Sequence, residues 1–104
     1  AYIQARETPS SWKIINGGTY TAAVNDKLLI DTTAPRTINL PSSPQMGNEV
    51  RMVDATGTSS TNNITVSTSD KIRGSDSNFI IDIDEAGIGL VYYNTTRGWV
   101  LTEK

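Results

Sequence analysis

Three carboxylates, Asp82, Asp84 and Glu85, stand together in the last third of the chain. On extended backbone, residues two apart share a face at about 7 Å, so Asp82 and Asp84 form a spaced carboxylate pair. Such a pair suits an inverting glycosidase or a Ca²⁺ site. Exposed acids beside a turn are the commoner occurrence, and no Asp-x-Asp-x-Asp-Gly loop accompanies these. Asp70-Lys71-Ile72-Arg73-Gly74 mixes signs in what could be an anion-binding corner, though a turn with local ion pairs accounts for it more simply. Gly87 and Gly89 lack the third glycine and the helix that a phosphate cradle requires. Asn63-Ile64-Thr65 and Asn94-Thr95-Thr96 match the glycosylation acceptor pattern, which is short enough to arise by chance.

The aromatic side chains Trp12, Tyr20, Tyr92, Tyr93 and Trp99 could stack on sugar rings. Trp12 and Trp99 read as core anchors of the first and last strands. That leaves Tyr93 as the exposed candidate, with Asp82, Asp84 and Asn94 as polar companions in a glycan or partner contact. The chain has no His and no Cys. A Ser-His-Asp triad, a His-ligated zinc site, a thiolate nucleophile and disulfides are therefore excluded. The residues offer no catalytic, cofactor-binding or metal-ligating set, and the domain reads as non-enzymatic.

The elements that must position these residues follow from composition and alternation. A length of 104 residues fits one domain. Nine Lys and Arg against 11 Asp and Glu give a net charge of -2, which argues against nucleic acid as a partner. Apolar runs stop after a few residues, far short of a membrane span. Thr, Ser, Asn and Gly make up 40 of the 104 residues, a composition that favours strands and turns over helix interiors. The start at Ala1, without Met, fits a processed product or a piece of a longer chain.

Residues 1–11 carry no sustained period and read as an N-terminal arm or linker, followed by a single β-domain over 12–104. Within it, apolar and polar residues alternate, broken by turn signals every eight to twelve residues. The pattern predicts an all-β fold, a small antiparallel sandwich or barrel of about nine short strands. Asn16-Gly17-Gly18 reads as a tight hairpin turn. Pro41 to Gly47 reads as a surface loop, and the polar stretch Ala55 to Asn62 as the most mobile one. The inward set is Trp12, Ile14, Tyr20, Leu28, Ile30, Ile38, Leu40, Val50, Met52, Ile64, Val66, Phe79, Ile81, Ile83, Leu90, Tyr92, Trp99 and Leu101. Ile15, Leu29, Ile80, Val91 and Val100 fall on the outward phase. No helix is available to cover them, so they predict an apolar face between subunits.

The landmarks Trp12…Gly18-Thr19-Tyr20-Thr21, Asp26-Lys27-Leu28-Leu29-Ile30-Asp31-Thr32 and Thr37-Ile38-Asn39-Leu40-Pro41 carry a resemblance. It continues through Pro44…Gly47-Asn48…Val50…Asp54, Asn63-Ile64-Thr65-Val66, Ile72…Gly74 and Gly98-Trp99-Val100-Leu101. In this order they resemble small β-domains of tailed-bacteriophage tail fibres, tailspikes and baseplate appendage proteins. The resemblance implies a homotrimeric virion component, extracellular during attachment, that spaces, docks other virion proteins or contacts a host-surface glycan. It implies no cofactor and no catalytic residue.

Overall fold

The computed structural model describes residues 12–102; the arm assigned to residues 1–11 lies outside the described residues. Nine strands form: β1 (Trp12–Ile15), β2 (Thr19–Thr21), β3 (Lys27–Ile30), β4 (Arg36–Asn39), β5 (Glu49–Asp54), β6 (Ile64–Ser67), β7 (Phe79–Ile81), β8 (Gly87–Asn94) and β9 (Gly98–Leu101). They build a five-stranded sheet, β1-β3-β5-β8-β9, and a four-stranded sheet, β2-β4-β6-β7. The described residues contain no helix. The all-β class and the strand number are as the alternation predicts.

The sense of pairing differs from a purely antiparallel sandwich. From β1 to β6 the chain alternates between sheets, and each strand lies parallel to the one two before it. Parallel neighbours need a long return path, usually a helix. Here the strand in the opposite sheet is that return, so β1–β2, β3–β4 and β5–β6 stack as three coils. Antiparallel strands end the stack, with β7 on β6, β8 on β5 and β9 on β8. Asn16-Gly17-Gly18 is accordingly a corner between sheets, and no hairpin. A tight hairpin turn requires positive φ, and neither Gly17 nor Gly18 adopts it.

The core lies between the sheets. Leu28, Ile30, Val50, Met52 and Leu90 from one sheet and Ile38, Ile64 and Val66 from the other are fully buried. Stacking across coils is in register: Leu28 lies beside Met52 and Met52 beside Ile88, while Tyr20, Ile38, Val66 and Phe79 line up in the other sheet. At about 1.5–3 kcal/mol for each fully buried aliphatic side chain, this shared core is what holds the coils together.

Two phases are reversed from expectation. In β1, Ile15 is buried (6% exposed) while Trp12 and Ile14 point out (36% and 73% exposed), although the sequence pattern assigned Trp12 and Ile14 inward, with Trp12 a core anchor, and Ile15 outward. The sequence Trp12-Lys13-Ile14-Ile15 offers an apolar residue on either phase, and a one-residue shift flips every side chain. The inner phase puts Lys13 beside Asp26, with Nζ 3.0 Å from the carboxylate and 3.4 Å from the Tyr20 hydroxyl. The second reversal concerns Ile83, which is 70% exposed because β7 stops at Ile81 and the chain turns. Glu85 in that turn has φ +63°.

A last element closes the far edge. The amides of Arg73 and Gly74 donate to the carbonyls of Trp99 and Arg97, and the Trp99 amide donates to the Lys71 carbonyl. This lays the Lys71–Gly74 segment along β9 and seats Ile72 in the core beside the fully buried Trp99. Trp99 also meets Tyr92 edge to face, with ring centroids 5.6 Å apart. Gly98 makes the approach possible: its φ is +69°, and a Cβ there would overlap the Lys71 carbonyl.

Candidate functional site

Asp82, Asp84 and Glu85 belong to the turn that leads from β7 into β8, so they are not side chains on one strand face. Asp84 Oδ1 accepts a hydrogen bond from the Ser60 amide at 2.9 Å, which ties the turn to the preceding loop. The turn borders a groove of about 470 Å³ whose floor and walls include Phe79, Ile81, Ile88 and Leu101. Ile80, Ile83, Asp82, Asp84 and Glu85 also line it, with Arg73 as the cation, and the Glu85 side chain lies against Gly57. The groove exists because the five-stranded sheet runs one strand further than the four-stranded sheet. Leu101 on β9 points inward beside Leu90 but has no strand opposite it among the described residues. Among the described residues no group of three or more acidic side chains is placed to hold a metal ion.

Tyr93 is far from these carboxylates. It sits at the other end of β8, separated from Gly87 by about 20 Å of strand. The β8–β9 register slips between Tyr92 and Asn94, leaving Tyr93 as the extra residue of a bulge, 57% exposed. Asn94 is engaged locally: its Oδ1 accepts from the amides of Thr96 and Arg97 and fixes the β8–β9 turn. The four residues expected to form one glycan or partner contact therefore fall into two places, with Asp82 and Asp84 at the groove and Tyr93 and Asn94 at the opposite end.

The outward apolar set divides in the same way. Ile15 is part of the core, as described. Leu29, Val91 and Val100 do share the outer face of the five-stranded sheet. Leu29 lies in a row with Ile14 and Val53, and Val91 in a row with Val100. The Lys27–Arg51–Gly89 row runs between them. Ile80 belongs to the other sheet, 45% exposed at the groove.

Asp54, which the sequence pattern does not single out as a site, and the Thr32 hydroxyl each make four hydrogen bonds among the described residues. Asp54 ends β5 on the inward phase after Val50 and Met52, and it is buried. Its Oδ1 accepts from the Thr32 hydroxyl at 2.6 Å and the Gly57 amide at 2.9 Å. Its Oδ2 accepts from the amides of Ser59 and Glu85, each at 3.0 Å. Burial pushes the carboxyl upward, but the Thr32 hydroxyl and the Glu85 and Ser59 amides outweigh it and hold the group well below the usual carboxylate range. The network continues through Thr32 to Thr56 and Thr58, and through the Asn62 side chain to the Thr32 carbonyl. The Ala55–Asn62 stretch, expected to be the most mobile, is thus fastened from inside. A carboxylate on the buried phase of a strand was the signal available, since only multiple donors make that position tolerable.

Asp26 plays a smaller version of this part between β2 and β3. Its Oδ2 accepts from the Tyr20 hydroxyl and the Ala23 amide, and Lys13 approaches Oδ1. Burial raises its pKa, and the Ala23 amide, Lys13 and Tyr20 together bring it below the ordinary value. These carboxylates brace the corners of the coils; neither borders the groove. Compared with known proteins, the chain matches no family model and no curated protein.

Proposed function

We infer that the chain is a non-enzymatic structural or attachment domain that works as a homotrimer, of the kind found in phage tail fibres and baseplate appendages. The reading rests on the landmark order in the sequence together with one structural observation. On the outer face of the five-stranded sheet, Ile14, Leu29 and Val53 form an apolar row that ends at β1, the edge strand of that sheet among the described residues. A solvent-facing row would ordinarily carry charged or polar residues, and apolar rows of this kind mark contacts between chains. Stacked parallel coils add stiffness along the stack, because each coil is hydrogen-bonded to the next across both sheets. Mechanical spacing and docking need no catalytic group, which agrees with a chain lacking His and Cys.

Light scattering at micromolar concentration tests the reading. The expected mass is three times that of the protomer, with a melting temperature that falls on dilution. Ile14→Glu, at a largely exposed position, should return the protein to a folded monomer. A wild-type monomer whose melting temperature ignores concentration would refute the reading.

A further inference from the structure

We propose that the groove beside β7 receives an extended, lysine- or arginine-bearing segment of a partner polypeptide, which adds as the missing fifth strand of the four-stranded sheet. Four observations meet at this place. Among the described residues β7 is an edge strand, paired with β6 on one side and with no strand on the other. The opposite sheet extends past it by one strand, so Leu101 and Phe79 are core-facing side chains left only partly buried. The Lys71–Gly74 segment, which could have filled this position, lies along β9 and covers Trp99. The resulting space, about 470 Å³, falls within the range of small-ligand pockets and suits a few inserted side chains.

Charge selects the occupant. Asp82, Asp84 and Glu85 line the groove, and Arg73 is the one cation among its described lining residues. Among the described residues none of these three carboxylates forms an ion pair; the pairs present lie elsewhere, at Lys13–Asp26, Arg36–Asp31, Arg51–Glu49 and Lys71–Asp76. An added strand alternates its side chains between two faces. Apolar residues on one face would enter between Phe79 and Leu101, and basic residues on the other would meet the acidic turn. Main-chain hydrogen bonds to β7 would supply affinity, and the alternation would supply selectivity, as in other strand additions. The proposal is independent of self-assembly through the β1 side, which lies at the opposite end of the sheet order.

The test uses the whole chain and a fluorescently labelled, end-capped peptide alternating lysine and valine, with a glutamate–valine peptide as the opposite charge pattern. Anisotropy titrations at low salt should show saturable binding of the lysine peptide and none of the glutamate peptide. Added salt should weaken the complex. Asp82→Asn combined with Glu85→Gln, both at exposed positions, should weaken it about fivefold. Amide chemical shifts should change along Phe79–Ile83 and at Leu101. Equal binding of the two peptides, no binding of either, or shifts centred on β1 would overturn the proposal. So would concentration-dependent broadening of Phe79–Ile83 without peptide, because a copy of the chain would then fill the groove.

Discussion

Replacing Asp54 by Asn probes the buried hub with almost no change of shape. The carboxylate accepts four hydrogen bonds, two on each oxygen. An amide side chain can keep Oδ1 toward Thr32 and Gly57, but its nitrogen then faces the Ser59 and Glu85 amides, donor against donor. Each buried donor left without an acceptor costs about 1–3 kcal/mol, so Asp54→Asn should lose roughly 2–6 kcal/mol at neutral pH. For a domain of this size that lowers the melting temperature by at least about 8 °C. The pH dependence carries the sharper test. Because the folded-state pKa of Asp54 is depressed, its stabilisation is complete above the unfolded value of about 3.9 and is lost as pH falls toward the folded value. The gap between wild type and variant should therefore shrink by up to about 1.4 kcal/mol for each pH unit below about 3.9. Urea unfolding followed by the fluorescence of the buried Trp99 measures both quantities. A gap below about 1 kcal/mol at pH 7, or one that stays constant down to pH 2, would contradict the assignment of this carboxylate as an ionised anchor.

Gly98→Ala should cost about 3 kcal/mol or more, since its φ is positive and the Lys71 carbonyl occupies the place of the new methyl group. Thermal scans should show a fall above about 12 °C, and a change under about 4 °C would mean that the Lys71–Gly74 segment does not hold its place on β9. Ile15→Ala should destabilise by about 2–5 kcal/mol while Ile14→Ala, read at a concentration that keeps the chain monomeric, stays within about 0.5 kcal/mol. The reverse order in denaturant titrations would return β1 to the phase its sequence pattern suggested. Stability of the wild type should fall as pH drops below about 4, because Asp26, Asp31 and Asp54 all have lowered folded-state values and none contributes once protonated. Asp31 takes part through the Thr33 hydroxyl and amide, which donate to its Oδ1. A melting temperature unchanged between pH 7 and pH 3 would contradict these shifts.

The candidate site was legible only in pieces. Asp82, Asp84 and Glu85 stood out by type and spacing, yet period-two reading continued β7 through Ile83, where the chain has already turned. Nothing in the local pattern announces that end, because Ile81, Asp82, Ile83 and Asp84 go on alternating. The groove itself depends on counting strands in two sheets, a quantity with no local signature. Tyr93 was correctly read as exposed, but its distance from the acidic turn is set by the length of β8.

What the amino-acid order determined by itself is where the strands lie and, for most of them, which side is buried. Alternation is a property of consecutive residues, so Leu28 and Ile30, Ile38 and Leu40, Val50 and Met52, and Ile64 and Val66 were already committed to the interior. Only tertiary structure decided which strand lies beside which and in what direction, because parallel and antiparallel ladders use the same backbone groups and the same side-chain period. That decision fell to long-range contacts. Lys13 reaching Asp26, Asp54 gathering donors from three segments, and Lys71 closing on Gly98 turned the nine described strands into stacked coils, five strands in one sheet and four in the other.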